Sequence, residues 1–342
     1  MLGAPHSPEA VVDGTAVNVV PTRAYDSANG FLLNQASIGV KHQLNEYVYG
    51  QIRFDAGANA GINSFGTSRL FDVREAFAVA TGKGFTFTAG KFVTYQGIEV
   101  VDGWLNPTIT RGYLYYLAEP VTHVGAKLHY ATGPLDVGVG VVNGWDTNNG
   151  YFATGDNNPM KTLIWRVGIT PAPIFWAAFS GTYGVEKAGD SDPRLSLDLT
   201  GAVTPIPMLA INFQANYGSE KKVGWIDPNK TGSWLGFGLQ PVLKVDAFQL
   251  GARFEFFQDK QLSRTFGFSG AINPKDADNM RLDPTNTKDK VSLWTLGITP
   301  GYTIASALLL RAEFRVDGAN EEILWNAKKT QTSLAFSAAY YF

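Results

Sequence analysis

The residues of this chain best suited to chemistry are single charges set into apolar stretches. Arg53, Arg74, Lys127, Arg166, Arg253, Arg311 and Arg315 each stand among Gly, Ala, Val, Ile, Leu or Phe neighbours. A second group, Glu99, Asp102 and Glu119, falls in one aromatic-rich stretch with Trp104, Arg111, Tyr113, Tyr115 and Tyr116. Opposed acidic and basic rows across a narrow passage make a transverse field that orients polar solutes and repels apolar ones. Such a field is the chemistry of a channel constriction. For any one of these residues the other reading is an ordinary salt bridge that holds a wall together, and Arg111 on this view pins its own stretch.

Enzymatic chemistry finds little to work with. The histidines are His6, His42, His123 and His129, and only the last two fall on one strand face. Six residues apart, they are ~20 Å distant at the normal strand rise, too far for one metal ion. The chain has no cysteine, which removes disulfides, thiol nucleophiles, thiolate metal sites and covalent haem attachment. No elbow or spacing marks a Ser–His pair. Gly82–Gly84 has the look of a turn and lacks the phosphate-loop pattern. The expectation is no enzyme, no catalytic residue, no metal and no cofactor.

The elements that must position these charges announce themselves by a period of two. Val48, Ile52, Phe54 and Ala56 alternate with Tyr49, Gln51, Arg53 and Asp55; Leu308, Leu310, Ala312, Phe314 and Val316 alternate with Leu309, Arg311, Glu313 and Arg315. The same holds around Leu209–Tyr217 and Leu250–Phe256. Side chains on a strand point to opposite faces in turn, so each segment has one apolar and one polar face. The polar faces carry Gly, Asn, Gln, Ser, Tyr and isolated charges over about ten residues, the length and patterning of transmembrane barrel strands. A soluble β-sandwich also alternates and is the competing fold. Arg74 and Glu75 are adjacent and would face opposite ways unless a bulge intervenes. A basic residue on a lipid face costs about 2–4 kcal/mol at mid-membrane, so Arg74 is assigned inward and Glu75 to a rim or bulge. Lys91 beside Phe92 poses the same question.

Composition agrees. Of 342 residues, 45% are hydrophobic, 13% aromatic and only 17% charged, below the roughly 25% charged of soluble domains. A net charge of −2 argues against a nucleic-acid partner. No run approaches the ~18 apolar residues of a membrane helix. Residues 1–30 lack the basic start, apolar centre and cleavage site of a signal peptide. If the protein is exported, its leader is expected to be absent from this sequence.

Turn lengths sharpen the count. Short connections are read at Gln43–Glu46, Thr81–Gly84, Thr132–Pro134, Pro171–Pro173, Pro205–Pro207, Val245–Asp246 and Pro300–Tyr302. Longer polar ones fall at Ala60–Arg69, Asp146–Pro159, Glu186–Pro193, Glu220–Gly232, Asp259–Lys288 and Asp317–Lys328. This is the outer-membrane alternation of tight periplasmic turns and extended outside loops. Ile109–Ala118 resembles a strand, but counting it breaks the alternation; reading Tyr95–Val121 as one inward-folded third loop restores it. With a first strand from roughly Val11–Val20, the total is about sixteen and both termini are periplasmic; fourteen and eighteen stay open. The whole chain, 1–342, reads as one transmembrane β-barrel domain, with 1–10 a poorly ordered periplasmic start and 95–121 the constriction loop. Asp259, Asp276, Asp278 and Asp283 could bind divalent cations, although a solvated loop is the plainer account. At the end, Leu334, Phe336, Ala338, Tyr340 and Phe342 alternate with small or polar neighbours. A closing strand that ends on an aromatic is the address read by the barrel-assembly machinery, carried here by Tyr340 and Phe342.

Several stretches resemble the β-barrel porins of the OmpL-like family. They are Gly90-Lys91-Phe92, Gly97-Ile98-Glu99, Asn106, Arg111-Gly112-Tyr113, Glu119-Pro120 and Thr122-His123-Val124-Gly125, with Val73–Phe77 and Leu250–Asp259. The resemblance covers most of residues 30–342 and is most specific over 90–125. It implies a Gram-negative outer-membrane channel for passive diffusion of small hydrophilic solutes. The partners it implies are outer-membrane lipid, lipopolysaccharide and small polar solutes. A homotrimer and a monomer are both compatible with the chain. A non-conducting scaffold or sheath barrel is the other functional class, with an outer-membrane enzyme behind it.

Overall fold

The computed structural model describes residues 9–12, 15–18, 31–58, 60, 71–145, 158–187, 189–224, 227–265, 290–321 and 329–341. Two short strands, β1 (Glu9–Val12) and β2 (Thr15–Asn18), pair only with each other. The rest form one antiparallel up-and-down sheet. It comprises β3 (Ala36–Gln43), β4 (Val48–Ala56), β5 (Phe71–Gly82), β6 (Phe85–Val93), β7 (Thr122–Thr132), β8 (Leu135–Val142), β9 (Thr162–Ala172) and β10 (Phe175–Val185). It continues through β11 (Pro193–Ile206), β12 (Leu209–Glu220), β13 (Gly232–Val245), β14 (Phe248–Lys260), β15 (Lys290–Ile304), β16 (Leu308–Ala319) and β17 (Thr330–Tyr340). Each strand pairs with its neighbours in sequence, and β3 and β17 are the ends of the order. Among the described residues the sheet therefore has fifteen strands. The segment expected as the first strand, roughly Val11–Val20, instead holds β2 and part of β1, which pair with each other and not with the sheet.

The alternation of the sequence becomes two faces. On one face Leu235, Phe237 and Leu239 of β13, Ile298 of β15, Phe314 of β16 and Phe336 of β17 are all at least 43% exposed. Val137, Val139 and Val141 of β8 repeat the pattern. A continuous apolar band over strands of this length and alternation is what a sheet facing lipid carries. No described helix is long and apolar enough to cross a membrane. The opposite, inner face carries the glycines, hydroxyls and charges.

Two irregularities depart from simple alternation. Between Arg53 and Phe54 the β4–β5 register shifts, so that Arg53 opposes Glu75, Phe54 opposes Val73, and Arg74 is the extra residue. This bulge brings Arg74 and Glu75 into one charge group with Arg53 and Asp55. Arg74 reaches Asp55 at 3.2 Å and Glu75 at 3.6 Å, and Arg53 lies 3.8 Å from Glu75. Lys91, by contrast, stands out of phase with the inner face and turns its ammonium to Asp72 at 3.3 Å and to the Val73 carbonyl at 2.6 Å. The turn expected at Pro300–Tyr302 lies further on. β15 runs through Pro300, and the chain reverses at residues 305–307, where Ala305 and Ser306 adopt φ of 49° and 59°. Proline has no N–H to donate, and the β15–β16 ladder lapses there, passing from Ile298↔Phe314 to Gly301↔Arg311.

The chain divides into two compact units. The first takes Ile98–Ala118 and Ala202–Phe342 with the amino-terminal residues; the second takes Phe31–Gly97 and Glu119–Gly201. Each holds one part of the candidate site.

Candidate functional site

Strand pairing ceases at Val93 and resumes at Thr122, so Tyr95–Val121 is a loop, and Ile109–Ala118 is no strand. Its one helical element is a π-helical turn, Leu114–Ala118, every residue of which is buried.

In the first unit the wall grips this loop with charge. The register places Arg253 opposite Gly297 and Gly297 opposite Arg315. A glycine between two arginines leaves room for both guanidinium groups on the inner face. Arg253 is 1% exposed. Its Nη1 donates to Glu99 at 2.9 Å, to the Thr108 hydroxyl at 2.9 Å and to the Thr110 carbonyl at 2.6 Å. Its Nη2 donates to the Thr110 hydroxyl at 2.7 Å and to Glu313 at 3.3 Å. Glu313 in turn accepts the backbone N–H groups of Ile109 (2.6 Å) and Thr110 (2.7 Å), and the Thr110 hydroxyl at 2.6 Å. Arg311 donates to the carbonyls of Asn106, Thr108 and Gly103, and Arg315 to that of Arg111 at 2.6 Å while pairing with Asp317 at 2.7 Å. Farther along, Glu255 accepts the Leu114 N–H at 3.3 Å and Arg264 donates to the Leu117 carbonyl at 2.6 Å.

An irregular loop that is buried must satisfy its backbone polar groups on side chains, and charged partners make the strong bonds. The loop is fitted closely as well as bonded. A Cβ on Gly251 would strike the Pro107 carbonyl, and one on Gly112 would strike the Glu255 carboxylate. Within the loop, Asn106 bonds both the N–H (2.8 Å) and the carbonyl (2.7 Å) of Val100, and Arg111 donates to the Val101 carbonyl at 2.8 Å and stacks over Tyr115. Glu99 accepts from Gly112 (2.7 Å) and Gln240 (3.0 Å) in addition to Arg253. Tyr113 lies fully buried under Arg315, whose guanidinium centre is 5.5 Å from its ring. Burial first, then Asp317, drives the Tyr113 phenol well above its ordinary pKa.

In the second unit the loop's shoulders are held, and the wall charges of β7–β9 stay near solvent while Arg74, Asp55 and Glu75 are buried at the β4–β5 bulge. Gly97 donates to Asp198 at 2.9 Å, and Gln96 exchanges bonds with Ser196. Buried His123 bridges the Gly144 carbonyl (3.1 Å) and the Thr94 hydroxyl (3.2 Å). Glu119 is 2% exposed and packs on Gly97, where a Cβ would overlap its carboxylate. Lys127 lies 4.3 Å from the centre of the Phe92 ring and 4.5 Å from that of Tyr95. Asp136 bonds His129 at 2.9 Å and Arg166 at 3.2 Å, with side chains 26%, 35% and 23% exposed for His129, Asp136 and Arg166. Burial, then the field of Asp136, pushes the Tyr95 phenol up to about 12, so it remains a neutral donor at physiological pH.

The residues singled out by sequence thus fall into separate settings. Glu99 and Arg111 are buried in the loop with Arg253, Arg311 and Arg315 beneath it, and Arg74 is buried in the bulge. Arg53, Lys127 and Arg166 sit half-buried on the second unit's inner face, and Asp102 is half-buried in the loop. Tyr340 is 69% exposed on the apolar face of β17; Phe342 lies outside the described residues, as do Asp276, Asp278 and Asp283. Asp259 is occupied locally, accepting from Ser263, Arg264 and Thr265. Sequence reasoning passed over Glu313, Glu255 and Thr110. The signal was present in β16, where Arg311, Glu313, Arg315 and Asp317 put charges of alternating sign on one face.

A family model described as "Putative beta-barrel porin-2, OmpL-like" matches residues 6–342. No curated protein matches the chain. Among solved structures, the anion-selective porin from Comamonas acidovorans is similar at TM-score 0.60 and 10% identity, covering 92% of each chain. OmpF of Salmonella typhi, solved with daunomycin, is similar at TM-score 0.58 and 11% identity, over 99% of this chain and 96% of its own. The channel DcaP of Acinetobacter baumannii is similar at TM-score 0.57 and 13% identity, over 100% of this chain and 92% of its own. These likenesses are of fold. The chain belongs to the OmpL-like β-barrel porin family, and it is an outer-membrane porin.

Proposed function

Given that membership, we propose that the channel passes small hydrophilic solutes by passive diffusion and that residues 98–118 set its narrowest section. The observation that carries this reading is the bonding of the loop to the first unit's inner face by Arg253, Glu313, Arg311 and Arg315. A segment held there by buried charges narrows the aqueous path permanently and does not swing free. Arg53, Lys127 and Arg166 are half-buried bases on the inner face of the second unit; on this reading they are charges a solute meets, and Asp102 is the half-buried acid of the loop. Arg253, Arg311 and Arg315 act one step back, as positioning residues. The same view makes the protein a channel and not an enzyme, working in the outer membrane of a Gram-negative cell beside lipid and lipopolysaccharide.

Refolded protein in a planar bilayer tests it. Stepwise, ohmic conductance is expected, and deletion within Leu105–Tyr116 should raise the single-channel value. A heat-modifiable but silent barrel would favour the scaffold class. A conducting barrel indifferent to the deletion would remove the constriction role.

A further inference from the structure

We infer that the inner face of β7–β9, together with Tyr95, forms a binding subsite for the carboxylate group of small organic acids, built by Lys127, Arg166 and the Tyr95 phenol. The inference rests on the porin reading and extends it to a solute class.

Lys127 is the unusual residue. Its ammonium lies against two aromatic rings, Phe92 and Tyr95, and it makes no hydrogen bond or ion pair among the described residues. The face of an aromatic ring attracts a cation without neutralising it. A lysine so held has a fixed position and, among the described residues, no carboxylate within ion-pair distance. Burying a charge without a partner is costly, and a bound anion would supply the missing partner.

Arg166 is poised in the same way. Only its Nε is engaged, by Asp136 at 3.2 Å, and the side chain is 23% exposed. Both terminal nitrogens are left for a second acceptor, and a planar guanidinium suits a carboxylate bidentately. Cross-strand register ties the parts together. His129 opposes Gly138, and Gly138 opposes Arg166. A Cβ at Gly138 would lie 2.6 Å from the Tyr95 oxygen and 3.2 Å from the His129 ring. The glycine therefore lets the phenol settle onto the strand between His129 and Arg166. That phenol oxygen is buried and has no hydrogen-bond partner. A buried hydroxyl without a partner costs about 1–3 kcal/mol, and its donation to a carboxylate oxygen would remove that cost.

Asp136 limits the strength of the subsite. It pairs with both His129 and Arg166 and repels an incoming anion. Weak, exchanging occupancy is what conduction needs, since a solute must leave as readily as it enters.

The test uses the refolded full chain in planar bilayers with potassium acetate gradients and with succinate as a blocker of potassium chloride current. Wild type should favour acetate over potassium in its reversal potential, and succinate should reduce the chloride current in a saturable way. Lys127→Met, which keeps the length of the chain between the two rings, should lower the acetate-to-potassium permeability ratio about threefold or more and abolish saturation. Arg166→Gln should do the same more weakly, and Lys127→Arg should restore the ratio. Heat-modifiability on gels verifies that each variant is folded. A conducting wild type whose ratio and succinate response are unchanged in both Lys127→Met and Arg166→Gln overturns the subsite and leaves the porin reading intact. A wild type that conducts nothing overturns both.

Discussion

The inner faces of the two units carry the same residue type in two conditions. In the first, Arg253 and Arg315 are at most 1% exposed and consumed by the loop and its neighbouring carboxylates. In the second, Arg74 is buried against Asp55 in the bulge, but the side chains of Arg53 and Arg166 are 27% and 23% exposed, and Lys127 rests on aromatic rings. An arginine at an inward strand position thus has no fixed job. Where an irregular segment lies over it, it becomes a donor for orphaned carbonyls. Where water lies over it, it remains a charge that a solute can sense.

The strongest way to break this comparison is Arg253→Ala. It leaves Glu99 and Glu313 buried without their common partner, and loss of one member of a buried pair costs about 3–5 kcal/mol. The expected result is a loop cut by chymotrypsin near Trp104 or Tyr113 in an otherwise folded barrel, with larger and noisier unitary currents. A loop that stays protected would show that the wall arginines are not what hold it.

Gly251→Val approaches the same contact by shape in place of charge. The side chain would drive into Pro107, and overpacking of this kind costs about 1–3 kcal/mol. Proteolysis should rise less than in Arg253→Ala, with an intermediate change in conductance; a current identical to wild type would mean that the loop yields at Pro107 without moving its tip.

On the second unit the smallest stability effect is expected. Arg166→Gln removes a partly exposed pair with Asp136, worth less than about 1 kcal/mol. The unfolding midpoint in urea should hardly shift and the loop should stay protected, while ion selectivity changes. If Arg166→Gln instead destabilised the barrel as much as Arg253→Ala, the distinction between the two faces would collapse.

Much of this was readable beforehand, and the particular misses are instructive. Tight turns at Lys83–Gly84, Gly133–Pro134 and Pro207–Met208 carry Gly or Pro and were visible. The turn at Ala305–Ala307 carries neither, so the nearby Pro300-Gly301 drew the assignment instead. From sequence the bulge at Arg74 is only a condition, because a period-two pattern cannot say which of two adjacent charges is the inserted residue. The loop was legible as a loop from turn parity alone. That Glu313 would bind its backbone N–H groups was not, since residues 109 and 313 are distant in sequence and joined only by the fold.

By itself the sequence determined the sheet, its apolar and polar faces, the long third connection and the family. The sheet, its faces and the connection follow from local periodicity and turn chemistry, which act over a few residues; the family rests on the motifs the chain shares with it. Only the tertiary structure decided which arginines grip the loop and which stay beside solvent. Burial, and the pairing that burial demands, are properties of what comes to lie above a residue; nothing in its strand neighbours records them.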